Sequence, residues 1–263
     1  HKIYIRNGAT TMKEKLYTIP LNDAVNENDE CPFCFIERKL EQDMINFVLG
    51  SSSSYMESDI REQTDNIGFC RTHMKKMFDF GNTLGNSLIL KTHYQKLLKE
   101  FSQQTAHFTP GKSSLISRIK KQPSESNSVA AWALQKDCSC YVCNGLQQNF
   151  DRYMETFFYM YTKDSQFHEK IKNGKGFCLH HFGLLCENAD RYLNDKQKAE
   201  FYPEIFALME RNLQRLEEDV SWLIDKFDYR NKDADWKTSK DALQRGMQKL
   251  RGGYPADPPF KQK

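Results

Sequence analysis

Apolar residues recur along most of this chain at steps of three and four, the period of a helix lying on a core. "ERKLEQDMINFVLG" (37–50) puts Leu40, Met44, Phe47 and Val48 on one face, and "GLQQNFDRYMETFFYMY" (145–161) does the same with Leu146, Phe150, Tyr153, Met154 and Phe157. Two more helices are predicted over 73–101, with Gly81 and Gly85 as weak points, and over 180–193. The longest amphipathic stretch, 203–227, carries a seam of Ile205, Met209, Leu213, Leu216, Val220, Leu223 and Phe227. A last helix over 234–252 is expected to turn Ala242, Leu243, Met247 and Leu250 inward before the "GGYPADPPF" tail stops it. No pair of strands is indicated, so the fold class is all-α.

Residues 102–128 turn polar and rich in Ser, Gln, Lys and Pro, which marks a linker. The expected organisation is an N-terminal segment (1–19), a first module (20–101), the linker (102–128), a second module with the long helix (129–227), and a C-terminal helix and tail (228–263). Met12 before "KEKLYTIPLNDAV" reads as a natural start, with residues 1–11 as a leader or an upstream start.

Composition narrows the partners. A hydrophobic fraction of 39% builds a core, while 28% charged residues and a mean hydropathy of −0.74 describe a well-solvated surface. The net charge of +3 is spread without blocks, so nothing in it favours nucleic acid. The longest apolar runs, "VAAWAL" and "FFYMY", fall well short of the roughly 20 residues a membrane span needs, and no secretory signal is visible. A cytoplasmic protein is expected.

Eight cysteines without an export signal point to metal or redox chemistry rather than a disulfide scaffold. Cys31-Pro-Phe-Cys34 is followed by Gly-Phe-Cys70-x-x-His73, and Cys140-Tyr-Val-Cys143 by Gly-Phe-Cys178-x-x-His181. The gaps nearly match, at 36 positions (70 − 34) and 35 (178 − 143), which marks an internal repeat. Each copy offers three thiolates and one imidazole, a closed Cys3His tetrahedral set for zinc, so two zinc ions per chain are expected. Sets formed within a module, and swapped sets in which one module's C-x2-C meets the other's C-x2-H, both fit the spacing. Cys138 and Cys186 are extra thiols. Cys186 reads as a small buried hydrophobe, and His180 points away from the face that His181 shares with Cys178.

"CPFC", "GFCRTH", "CSCYVC", "GFCLHH" and the C-terminal "DYRNKDADWKTSKDALQRGMQKLRGGY" together resemble an uncharacterised family of bacterial and archaeal proteins of about this length, a domain of unknown function. The resemblance covers most of the chain after Met12 and implies a shared fold without an assigned activity. Cys138 departs from the pattern and leaves open which cysteine pair of "CSCYVC" grips a metal.

The reading is therefore two pseudo-repeated helical zinc-binding modules plus a long amphipathic helix and a C-terminal helix. The leading function class is a binding or scaffold protein with structural zinc, and the alternative is thiol-redox or metal handling through labile cysteines. An enzyme with a pocket between the modules is a third class, although no catalytic triad, phosphate loop or carboxylate pair is identified. The sequence names no partner; a groove between the modules is one place that a protein or small molecule could occupy.

Overall fold

The computed structural model describes residues 16–27, 29–51, 57–109 and 128–253. The leader with Met12, most of the linker and the chain after 253 lie outside the described residues.

All secondary structure among the described residues is helical. A helix runs through 16–26 (α1), followed by α2 (Pro32–Leu49), α3 (Ser58–Ile67), α4 (Arg71–Phe80) and α5 (Thr83–Ala106). After the linker come α6 (Ser128–Cys138), α7 (Tyr141–Lys163), α8 (Ser165–Lys172), α9 (Leu179–Tyr192), α10 (Asp195–Asp225), a 3₁₀ turn at Tyr229–Asn231, and α11 (Ala242–Arg251). Helix therefore enters both ends of the stretch read as linker. The predicted helix over 73–101 is two helices, broken between Phe80 and Thr83, where the Asn82 side chain accepts from the Gly85 N–H and caps α5. No described helix is long and apolar enough to cross a membrane.

The helices form two compact units whose borders do not follow the sequence modules. One joins the described residues up to Leu40 with those from Gln147 onward; the other is Glu41–Leu146. The border falls inside each module because the C-x2-C element and the C-x2-H element of one module go to different units.

In the first unit, Phe33, Phe157, Phe158, Phe167, Phe177, Leu185, Phe201 and Ile205 are buried. Most of their rings meet edge-on or tilted, as between Phe157 and Phe177 at 5.8 Å and 84°, an arrangement favoured by the ring quadrupoles, while Phe33 and Phe177 are stacked. The "FFYMY" run is core as expected, apart from the exposed Tyr159. The second unit has a smaller core of Ile45, Val48, Leu49, Met77, Phe80 and Ile89. Here α2 is rotated from the predicted face: Val48 is buried as expected, Ile45 and Leu49 join it, and Phe47 is exposed.

The long helix starts at Asp195, well before Pro203, because Asn194 and Gln197 close a capping box. Pro203 is accommodated on the solvent side. Ile205, Met209 and Leu216 are buried as predicted, but Asn212 and Asp219 are buried too, whereas Leu213 is partly open and Phe227 is 86% exposed.

The C-terminal helix inverts its expectation. Residues 234–241 are turns, and α11 buries Ala242, Arg245, Gln248 and Lys249 while Leu243, Met247 and Leu250 face solvent. The cause is a buried carboxylate. Glu30 is fully buried, and charge left unpaired there would be costly. Arg215 Nη2 donates to its Oε2 at 2.5 Å, Lys249 Nζ lies 3.3 Å from the same oxygen, and Arg245 Nη1 lies 3.5 Å from Oε1. Lys249 Nζ also donates to the carbonyls of Glu30 and Lys175, each at 2.6 Å, and Arg245 Nη2 donates to Asp219 at 2.9 Å. Gln248 donates to Asp29. These long side chains order the C-terminal helix through hydrogen bonds where Leu243, Met247 and Leu250 would have left Glu30 unpaired. Burial works against ionisation of Glu30, but the Arg215 hydrogen bond and the Lys249 charge outweigh it and hold the carboxyl below its usual range.

Two variants check this inversion. Glu30→Gln removes the carboxylate beside the buried Lys249 and one of those beside Arg215 and Arg245, and is expected to lower stability by about 3–5 kcal/mol in urea unfolding. Met247→Gln, on the face predicted to be core, is expected to change it by less than about 0.5 kcal/mol. The Glu30 contribution is complete above the ordinary carboxylate pKa and is lost as pH falls through the depressed folded value, so the difference between wild type and Glu30→Gln should shrink in acid.

Candidate metal centres

Each Gly-Phe-Cys-x2-His copy is built the same way locally. Gly68 and Gly176 both have φ +74°, a region closed to residues with a Cβ. The following cysteine is extended, with φ/ψ of −72°/165° at Cys70 and −70°/161° at Cys178, and stands as the N-cap of α4 or α9. Histidine three positions on then lies over the cysteine in the first helical turn. The C-x2-C pairs are placed alike. Cys31 and Cys140 immediately precede α2 and α7, so the next cysteine of each pair, Cys34 or Cys143, falls in the first turn. Every ligand therefore stands at a helix N-terminus, where free N–H groups and the positive end of the dipole favour thiolates. Backbone N–H groups do reach sulfur, from His181 to Cys178 and from Cys143 to Cys140, each at 3.5 Å.

The sets are swapped relative to the sequence modules. Cys31, Cys34, Cys178 and His181 converge in one unit, and Cys70, His73, Cys140 and Cys143 in the other, with the four ligand atoms of each group within 4.8 Å of one another. In the first group His181 Nδ1 lies 3.4, 3.6 and 3.2 Å from the sulfurs of Cys31, Cys34 and Cys178, and Cys34 is 3.7 Å from Cys178. In the second, His73 Nδ1 lies 3.2, 3.2 and 3.4 Å from Cys70, Cys140 and Cys143, and Cys70 is 3.9 Å from Cys143. A tetrahedron with metal–sulfur bonds of about 2.3 Å and a metal–nitrogen bond of about 2.05 Å has edges of about 3.8 Å between sulfurs and 3.6 Å between sulfur and nitrogen. Both groups have close to these dimensions and could hold a metal ion.

The swap is also held by groups outside the clusters. Tyr141 N–H donates to the Gly68 carbonyl at 2.8 Å and Ser139 Oγ to that of Ile67 at 2.5 Å, fixing the second C-x2-C beside the first Gly-Phe-Cys. Around the other group, Phe33 and Phe150 lie 5.6 and 5.2 Å from the His181 ring, and Phe33 stacks on Phe177. A Cβ on Gly252, at φ +76°, would stand 3.5 Å from the Cys178 sulfur and 3.6 Å from that of Cys34, so the chain end of α11 closes over this group.

Two carboxylates complete the surroundings. Glu41 Oε1 sits 2.9 Å from His73 Nε2, and Glu37 Oε1 sits 3.3 Å from His181 Nε2, the latter at ion-pair distance without hydrogen-bond alignment. A carboxylate behind a histidine fixes which nitrogen faces a metal and raises its basicity. Both are on α2, three and seven positions after Cys34, a helical spacing visible in the sequence but not singled out there. Cys138 is exposed and Cys186 half-buried, and both stand outside the two groups. His180 is exposed, though near enough to Glu37 and His181 to form a third, smaller group with them.

Without metal the clusters share protons. Burial opposes charge on His73, but hydrogen bonds to Cys140 and Glu41 outweigh it and push the imidazole up to about 10. Burial likewise opposes ionisation of Cys140, but its hydrogen bond to His73 brings the thiol down to about 6, while burial and the neighbouring Cys140 push Cys143 up to about 12. In the other group hydrogen bonds to Cys31 and Cys34 lower Cys178, and those from Cys178 and Cys31 raise Cys34. His181, despite its burial, is pushed up to about 12 by Cys178 and Cys31.

A ligand must give up its proton to bind a metal. Loading at neutral pH is therefore expected to release protons from His73, Cys143, His181 and Cys34, and affinity is expected to fall as pH falls. Adding zinc to the metal-free protein in weak buffer with a pH indicator should register acidification; a silent titration despite binding would contradict this charge assignment.

Residues 12–257 match a family of unknown function, DUF6062. No curated protein and no solved structure matches the chain. The match takes in all eight clustered cysteines and histidines, beginning before the first Cys-x2-Cys pair and ending beyond α11, so the chain belongs to the DUF6062 family.

Proposed function

We propose that this protein binds two zinc ions, one through Cys31, Cys34, Cys178 and His181 and the other through Cys70, His73, Cys140 and Cys143, and that the protein is a zinc-stabilised binding or scaffold module. The observation that carries this reading is the near-tetrahedral spacing of three sulfurs and one Nδ1 in each unit. The donor set favours zinc, because thiolates suit a borderline-soft ion and the mixed Cys3His composition is typical of structural sites. Four protein ligands leave no position for an activated water, so the ions are assigned a structural role. Bound zinc supplies folding free energy, on the order of 10 kcal/mol per site in small zinc domains at neutral pH. All eight cysteines are free, which supports a reducing compartment such as the cytoplasm.

Metal counting by native mass spectrometry tests both the stoichiometry and the pairing. Two zinc ions per wild-type chain are expected. Cys34→Ser and Cys178→Ser should each remove one ion, and the double variant should still retain the other. Cys34→Ser combined with Cys70→Ser should remove both. Loss of both ions from Cys34→Ser/Cys178→Ser would favour pairing within the sequence modules. Removing the metal is expected to lower helicity and the melting midpoint, and an unchanged melt would contradict the structural role.

A further inference from the structure

The two centres have the same donors but unlike access to solvent. Cys31, Cys34, Cys178 and His181 are each no more than 1% exposed. They are enclosed by Phe33, Phe150 and the backbone of Gly252. In the other centre His73 and Cys140 are buried, Cys70 is half-exposed and Cys143 is exposed. A metal held by thiolates leaves its site chiefly when an incoming donor reaches it before the departing ligand has gone. A centre with every ligand buried admits such a donor only after local unfolding, whereas one with an exposed sulfur admits it in the folded state.

We propose that the Cys70–His73–Cys140–Cys143 centre is an exchange site that passes its metal ion to and from an external thiolate, and that the Cys31–Cys34–Cys178–His181 centre keeps its ion. The proposal rests on the metal-binding reading above. In the first transfer step the incoming thiolate sulfur would form a bond to zinc as the bond from zinc to Cys143 Sγ breaks, the freed Cys143 thiolate taking a proton from water. Further donors of the acceptor would then replace Cys70, Cys140 and His73 in turn, one bond to zinc forming as one breaks, until the ion leaves with the acceptor. Zinc keeps its oxidation state throughout. Cys140 and His73, both buried, and Glu41 behind His73 hold the ion while Cys143 is displaced. The exposed Cys138, two positions before Cys140, stands outside the four-residue group.

The two-zinc protein mixed with excess 4-(2-pyridylazo)resorcinol, a chromogenic chelator, is expected to release one ion per chain quickly and the other slowly. The rates should differ by roughly 100-fold or more, because local opening ranges from almost free to the cost of global unfolding. The fast phase should survive in Cys34→Ser and vanish in Cys140→Ser, and millimolar glutathione should accelerate it in wild type and Cys138→Ser alike. Where a variant fails to fold, limited N-ethylmaleimide treatment of wild type gives the same information: Cys143 should be modified with loss of one ion while Cys31, Cys34 and Cys178 stay protected. Two ions leaving at one rate, a fast phase retained in Cys140→Ser, or Cys31, Cys34 and Cys178 modified as readily as Cys143, would overturn the proposal and leave zinc binding intact. A protein that binds no ion would overturn both.

Discussion

Three sulfurs and an imidazole nitrogen within a few ångström of one another are stable only if something positive is shared among them. Protons can serve, as the raised histidines and the divided cysteine acidities show, but each proton satisfies one or two atoms, whereas a divalent cation satisfies all four. The rest of each unit is arranged around this requirement. Helices begin at the ligands, so that backbone N–H groups face sulfur, and glycine with positive φ turns the chain into the cysteine. Aromatic rings keep water from one of the clusters, and α2 supplies a carboxylate behind each imidazole.

A second polar constraint shapes the first unit. Glu30 immediately precedes the first ligand, and its burial draws Arg215, Arg245 and Lys249 inward from α10 and α11. The result brings Gly252 against the Cys34 and Cys178 sulfurs. Buried charge of this kind is weak evidence for stability but good evidence for specificity, because few other placements of α11 would pair the same groups.

The parts legible in the sequence were those carried by short-range chemistry. Cys-x2-Cys and Cys-x2-His place their side chains within one helical turn, so the eight residues that converge in the two groups could be named. The partners could not: loop-closure entropy grows only slowly with length, so the separations of 144 and 67 residues closed by the swapped sets cost little more than the 36 and 35 of the sequence modules, and spacing alone does not choose between them. Helical periodicity located α7 and its buried face correctly because Phe150, Tyr153, Met154 and Phe157 meet an apolar core. It failed at α11 for a definite reason. A pattern rule turns Leu243, Met247 and Leu250 inward, and no local signal reveals that Glu30, more than two hundred residues away, needs cations more than the core needs leucines. On α10 Ile205, Met209 and Leu216 stay buried, and Asn212 and Asp219 join them by accepting from Arg215 and Arg245, two of the cations around Glu30.

The swapped pairing also sets an order of events during synthesis. Cys31, Cys34, Cys70 and His73 are made first and amount to a complete Cys3His set, although none of these two pairs is the other's native partner. Cys140 follows His73 by 67 residues, which at about 5–20 residues per second leaves roughly 3–13 s in which only the wrong set exists. On the zinc reading proposed above, an ion that settles there has to exchange one pair of ligands, staying with Cys70 and His73 when Cys140 and Cys143 arrive or with Cys31 and Cys34 until Cys178 and His181 do. On that reading the nascent chain would reach its native state by trading ligands, so the speed of that trade would set how quickly newly made protein becomes correctly cross-linked.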